Sequence, residues 1–181
     1  LSHSFITFGS GNAAFKLNAQ TITLWSAILK AIPQSRLQLK SKPFSDPSTH
    51  DLFVERFARD GIHPSRLVLV GSTSYRDHLA FYQEIDIALD PFPYHGGTTT
   101  CEALWMGVPI ITLNQGTRVG CSLLKTLNLQ RFVAETPTEY IQLAVKLAQD
   151  YQALSNLRKK LRDQLLVSAI CDGPGFAREV E

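Results

Sequence analysis

A chain of 181 residues, 44% hydrophobic and 19% charged, has the size and balance of one soluble globular domain with a core of its own. Eighteen Lys and Arg against sixteen Asp and Glu leave a formal charge of +2, too little for a general nucleic-acid or membrane-surface binder, so any basic site must be local. No apolar run approaches the length of a transmembrane helix, and the opening Leu1-Ser2-His3-Ser4-Phe5 has no basic region ahead of an apolar one.

In chain order, short runs rich in Val, Ile and Leu at 4–8, 36–40, 66–70, 85–89 and 109–113, with a weaker one at 131–134, alternate with helical patterns. Ile22, Trp25, Leu29 and Ile32 recur on one helical face, starting near Asn18 and closed by Pro33. The next helix carries Phe53 and Phe57, with Asp46 placed to cap it, Pro47 in its first turn and Gly61 at its end. Ile141, Ala144, Val145 and Ala148 form a third face, and Leu154, Leu157, Leu161 and Leu165 a fourth. Cys171-Asp172-Gly173-Pro174-Gly175-Phe176 is a turn-rich connector into a last helix. The alternation predicts an α/β domain with a mainly parallel sheet over 1–170 and a connector with the start of a helix over 171–181. In such a sheet ligands bind beyond the carboxyl ends of the strands, which directs attention to the loops 9–18, 71–77, 90–100 and 114–120.

The segment Asp90-Pro91-Phe92-Pro93-Tyr94-His95-Gly96-Gly97-Thr98-Thr99-Thr100-Cys101-Glu102 follows a strand and leads into the apolar Ala103-Leu104-Trp105-Met106. Glycines admit close approach of a ligand, a helix start offers unpaired N–H groups and the positive end of its dipole, and three threonine hydroxyls add donors for phosphate oxygens. The same spacing also fits a capping box, in which Glu102 reaches back to a backbone N–H near Thr99. Spacing alone leaves these two readings open.

Other patterns carry less. Gly9-Ser10-Gly11-Asn12-Ala13-Ala14 formally matches the dinucleotide fingerprint, but the second strand ends in Lys40-Ser41-Lys42 without the expected acid. Asp86 and Asp90 bracket a strand without forming a DxD pair, so no metal site is indicated. Cys101, Cys121 and Cys171 are an odd number without CxxC spacing, which supports neither a disulfide framework nor zinc and fits a reducing cytoplasm. His3, His50 and His63 read as ordinary surface histidines.

Phe8-Gly9-Ser10, Lys16, Ser35-Arg36-Leu37, Lys42-Pro43-Phe44, Asp86-Ile87, Pro91-Phe92-Pro93-Tyr94, Gly97-Thr98-Thr99-Thr100-Cys101-Glu102-Ala103-Leu104-Trp105-Met106-Gly107-Val108-Pro109 and Arg118-Val119-Gly120 resemble the C-terminal catalytic lobe of the protein O-GlcNAc transferase and SPINDLY family. The resemblance runs over nearly the whole chain in long, ordered motifs. It implies a Rossmann-like, donor-binding C-terminal lobe of a GT-B glycosyltransferase, with the N-terminal catalytic lobe and any tetratricopeptide repeats outside these residues, so that this segment alone is expected to be inactive. The implied reaction is inverting, metal-independent transfer of N-acetylglucosamine from UDP-GlcNAc to protein Ser or Thr hydroxyls, without a cofactor. SPINDLY relatives imply GDP-fucose as the alternative donor.

Carried over residue by residue, the resemblance makes Lys16 the catalytic candidate that contacts the donor diphosphate. His78 falls near the nucleotide base and sugar. Gly97, Thr98 and Thr99 cradle the pyrophosphate, with Thr100 beside them, and Glu102 binds ribose hydroxyls. His95 is a further donor-site candidate, although the corresponding histidine of some relatives falls where this chain has Gly97. Gly11 stands where relatives commonly carry an aromatic residue. The segment Asn114-Gln115-Gly116-Thr117 is shorter than usual and lacks a family histidine, which keeps a non-catalytic nucleotide-sugar-binding scaffold as a rival reading.

Overall fold

The structure, a computed structural model, describes residues 5–181; Ser4 and His3 lie outside the described residues. Six strands, β1 (Thr7–Ser10), β2 (Arg36–Lys40), β3 (Leu67–Val70), β4 (Ile87–Leu89), β5 (Ile110–Leu113) and β6 (Val133–Ala134), form one sheet in the order β3-β2-β1-β4-β5-β6. Every pairing in it is parallel. Parallel neighbours need crossovers, and helices supply them: α1 (Ala19–Ala31), α2 (Pro47–Arg59), α3 (Tyr75–Phe81), α4 (Thr98–Trp105), α5 (Val119–Thr126) and α6 (Pro137–Gln149), followed by α7 (Tyr151–Leu166) and α8 (Gly173–Val180). The Rossmann-like α/β architecture expected from the sequence is the one found. Its strand order reverses between β1 and β4, where the loops leaving the two strands diverge and open a crevice.

The first strand differs from its expected bounds of 4–8. It starts at Thr7 and continues through Gly9 and Ser10, which pair with Gln38 and Leu39. Gly9 and Ser10 look like loop residues, but a Cβ at Gly9 would overlap the Ile85 side chain, so close packing demands the glycine inside the strand. The second helix keeps its expected ends: Asp46 accepts from the Thr49 N–H, Pro47 opens the helix, and Gly61 adopts φ 77° just beyond it.

The buried stripe of α6 is rotated from the expected one. Ala144 and Ala148 are buried as read, while Tyr140 and Leu147 replace Ile141 and Val145 as the inward residues. Tyr140 is wholly buried because its hydroxyl has partners. It accepts from Trp25 Nε1 at 3.1 Å and donates to the Asp90 carbonyl at 3.1 Å, joining α1, α6 and the end of β4. On α7, Leu154, Leu157, Leu161 and Leu165 all face the core.

Candidate functional site

The crevice at the switch point is built from the loops after β1 and β4. After Ser10 the chain makes a single 3-10 turn, Ala14–Lys16, before Asn18 caps α1 by accepting the Thr21 N–H. Asn18 Nδ2 donates to the Phe92 carbonyl at 2.7 Å and the Ala14 N–H donates to Ser41 Oγ at 2.9 Å, so the turn is pinned on both sides. Lys16 is thereby aimed across the crevice. Its Nζ donates to the His95 carbonyl at 2.9 Å and to Asn12 Oδ1 at 3.2 Å, and lies 4.4 Å from the centre of the Tyr94 ring. Desolvation lowers the Lys16 pKa, and the Asp90 carboxylate works in the opposite direction.

Helix α4 begins two residues earlier than a capping box on Thr99 requires. Gly97 is its N-cap, and no side chain caps it. The Thr100 and Cys101 amides both point back to the Gly97 carbonyl, leaving the amides of Thr98 and Thr99 without an intrahelical acceptor. Glu102 does not reach back to the helix start. Its Oε2 lies 2.8 Å from His78 Nε2 and accepts from the Tyr82 hydroxyl at 3.3 Å, which settles the open question of the capping box against it. The His78 and Glu102 side chains are 23% and 16% exposed, so the pair remains reachable from the crevice.

The other candidates divide by exposure. Thr98 is exposed and Thr99 half-buried, with the Thr99 hydroxyl donating to Asn12 Oδ1 at 3.1 Å. Thr100 is wholly buried, so its hydroxyl lies beneath the loop and not on its surface. The His95 imidazole is only 2% exposed, and neither ring nitrogen has an acceptor or donor in good geometry. The backbones of Leu113 and Gln115 lie near enough to favour its charged form, but burial is the larger effect and lowers its pKa. His95 therefore faces the crevice through its carbonyl, the group that holds Lys16.

Several residues assigned no donor-site role from the sequence belong to this arrangement. Lys40, at the carboxyl end of β2, is 6% exposed and hydrogen-bonded to Thr73 Oγ1, with its pKa lowered by burial and raised by Asp77. Its position at a strand end was the available signal. Asp90 is completely buried; its Oδ1 accepts the Gly96 N–H at 2.7 Å and its Oδ2 accepts the Thr112 hydroxyl at 2.7 Å. Tyr82 fills the space beside Gly11, where any Cβ would meet its hydroxyl at 2.6 Å. The short 114–117 segment is tied to the crevice: the Thr117 N–H donates to the Pro93 carbonyl at 2.9 Å, and the His95 N–H donates to Thr117 Oγ1 at 3.0 Å. Gly116 permits this approach with φ 97°, since a Cβ there would overlap the Pro93 carbonyl.

A cleft of about 740 Å³ lies alongside, bordered by Gly11, Lys40, Ser41, Thr73, His78 and Thr99. That volume is within the usual range for a small-molecule site. A smaller hollow of about 240 Å³ between α6 and α7 lies away from the strand ends and contains none of these residues.

The family model described as glycosyl transferase family 41 matches residues 1–180. The chain belongs to glycosyl transferase family 41. It is 43% identical, over all of its own length, to the tomato protein called probable UDP-N-acetylglucosamine--peptide N-acetylglucosaminyltransferase SPINDLY. It is 31% identical over 97% of its length to the UDP-N-acetylglucosamine--peptide N-acetylglucosaminyltransferase of Caenorhabditis elegans. A mutant O-GlcNAc transferase of Thermobaculum terrenum superposes with a TM-score of 0.92 at 37% identity, over 98% of this chain and 35% of that one. The chain spans 20% of the tomato relative and 15% of the worm one. Family 41 membership and this superposition agree with the GT-B lobe expected from the sequence.

Proposed function

We propose that this domain binds the nucleotide sugar in a protein glycosyltransferase that moves N-acetylglucosamine from UDP-GlcNAc to Ser or Thr hydroxyls. The carrying observation is the meeting of Lys16 with the N-terminus of α4 at the β1/β4 switch point. A diphosphate laid against Gly97, Thr98 and Thr99 would take the two free amides of that helix and the positive end of its dipole. The Lys16 ammonium, now bonded to the His95 carbonyl, would turn to the phosphate. The His78–Glu102 pair lies on the ribose side, where a carboxylate can accept from two vicinal hydroxyls.

In this reading the acceptor hydroxyl attacks the anomeric carbon, the bond to the diphosphate breaks, and the configuration inverts. Negative charge accumulates on the departing phosphate, and each well-placed preorganised donor lowers the barrier by roughly 3 kcal/mol. Lys16 and the α4 amides supply that stabilisation, so the proposal calls on no metal. His95 and Thr100 shape the loop from beneath. The acceptor site, the second lobe and any tetratricopeptide repeats belong to sequence beyond this chain, and the three free cysteines favour the cytoplasm as its compartment.

The test is Lys16→Ala in the full-length protein: turnover lost with nucleotide binding retained supports the reading, and unchanged turnover ends it. A second reading keeps the site but takes GDP-fucose, the donor implied by the SPINDLY resemblance. The tomato SPINDLY protein, 43% identical, is itself named for UDP-N-acetylglucosamine, so this second reading rests on the resemblance alone. Calorimetry with UDP and GDP separates the two, a strong preference for GDP selecting the second.

A further inference from the structure

The loop from 91 to 97 must hold Gly97 where α4 starts, yet its residues cannot do so through regular structure. Bonds from Asn18, Thr117 and Lys16 hold Phe92, Pro93 and His95, and one buried side chain restrains the Gly96 turn that leads into the helix. Asp90 ends β4, and its Oδ1 accepts the Gly96 N–H while its Oδ2 accepts the Thr112 hydroxyl on the neighbouring strand β5. Its own carbonyl is held by the Tyr140 hydroxyl. Space for the carboxyl exists because residue 120, in the first turn of α5, is glycine; a Cβ there would overlap Asp90 Oδ2 and come within 2.7 Å of Thr112 Oγ1. A Cβ at Gly96 would likewise meet the Thr99 and Thr100 hydroxyls at 2.7 Å, so the clamped amide sits directly beneath the first turn of α4.

The charged and titratable neighbours of this carboxyl come from three directions. Lys16 attracts it from the 3-10 turn, and its charge opposes ionisation of Cys121 on α5 and Tyr140 on α6. Lys16 is thus the cation that answers Asp90 when no ligand is present. A diphosphate arriving at the α4 N-terminus would draw Lys16 to itself and bring negative charge towards a fully buried carboxylate.

We propose that Asp90 is a positioning residue for the diphosphate site, fixing the helix start through the Gly96 amide, and that it takes up a proton from solvent when a nucleoside diphosphate binds. Protonation preserves the clamp. The Gly96 N–H keeps its acceptor, and the new O–H can donate to Thr112, whose hydroxyl rotates to accept. Burial already raises the carboxyl pKa to about 7, with the Gly96 and Thr112 hydrogen bonds and Lys16 pulling it down, so a modest further push moves it through neutrality. The proton-uptake half of the proposal rests on the donor-site reading above; the clamp does not.

Two measurements on the full-length protein test it. Titration calorimetry with UDP and with GDP near pH 7, in buffers of different ionisation enthalpy, counts protons taken up on binding. Asp90→Asn, which can accept from Gly96 and donate to Thr112, is expected to bind nucleotide with less proton uptake than the wild type. After subtraction of the variant's pH profile, wild-type affinity should be several-fold tighter at about pH 6 than at about pH 8. Equal uptake in both proteins overturns the proton linkage. Amide hydrogen exchange without nucleotide reads the clamp separately: Asp90→Ala should speed exchange in 91–97 while β2 stays protected, and unchanged exchange in 91–97 overturns the positioning role. Failure of the wild type to bind either nucleotide overturns the donor-site reading together with proton uptake, and the exchange measurement still decides the clamp.

Discussion

The ammonium of Lys16 lies 2.9 Å from the carbonyl oxygen of His95, a residue 79 positions later in the chain. That hydrogen bond closes the crevice between β1 and β4 and keeps a cation beside the N-terminus of α4. It also makes the His95 backbone, and not its buried ring, the group facing the crevice. A lysine held by a neutral carbonyl can be released to a phosphate oxygen, because charge-assisted bonds to anions are the stronger ones.

If the full-length protein is the transferase proposed above, Lys16→Ala is expected to lower its kcat about 10²- to 10³-fold, the range seen when one transition-state donor is removed. The nucleotide Kd should change far less. Steady-state kinetics paired with calorimetry checks both, and a loss confined to KM would remove Lys16 from the chemical step.

Glu102→Ala should act mainly on donor binding. Removing the carboxylate takes away the acceptor proposed for ribose hydroxyls and also frees His78 and Tyr82 from their shared partner. A hydrogen bond to a charged group contributes about 1.5–3 kcal/mol, so KM for the donor should rise about tenfold or more. A donor KM within twofold of wild type would count against the ribose assignment.

Tyr140→Phe should destabilise the fold by about 1–3 kcal/mol. It leaves the Trp25 indole N–H without its acceptor and the Asp90 carbonyl without this donor, both in the interior. Thermal unfolding should show a Tm lower by several degrees, and an unchanged Tm would mean that other groups replace the hydroxyl.

Gly120→Ala should cost about 1–3 kcal/mol, since its Cβ would press on Asp90 and Thr112 and force a shift at a packed site. The affinity for nucleoside diphosphate should fall as well, because the displaced carboxyl is the one holding Gly96. Chemical denaturation and calorimetry on the same variant report the two effects.

Stability should depend on pH through Asp90. The folded protein holds this carboxyl at about 7, raised chiefly by burial, whereas in an unfolded chain an aspartate titrates near 4. Between about pH 4 and about pH 7 the folded state therefore keeps a proton that the unfolded state has lost. The contribution is fully present below about pH 4, is lost at up to about 1.4 kcal/mol per pH unit as pH rises, and is gone above about pH 7. Urea denaturation across this window should show the slope in the wild type and a shallower one in Asp90→Asn; parallel profiles would refute the assignment.

Local chemistry was legible from the chain alone. Asp46, Pro47 and Gly61 delimit α2, the four leucines of α7 fall on one face, and the alternation of runs predicts the parallel sheet, because capping, helical periodicity and strand length depend on residues close in sequence. The glycine- and threonine-rich segment 96–100 could likewise be found as a helix start beyond a strand. Only the tertiary structure decided which partner each polar group takes. Glu102 fits a capping box by spacing, yet it bonds to His78 and Tyr82, brought to it by α3 and the turn that follows. Asp90 looked like half of a missing metal motif and is instead a buried clamp on Gly96, and Tyr140 displaced Ile141 from the core because Trp25 and the end of β4 offered its hydroxyl two partners. A polar side chain away from water settles where its hydrogen bonds can be made, and folding alone determines which donors and acceptors stand within reach.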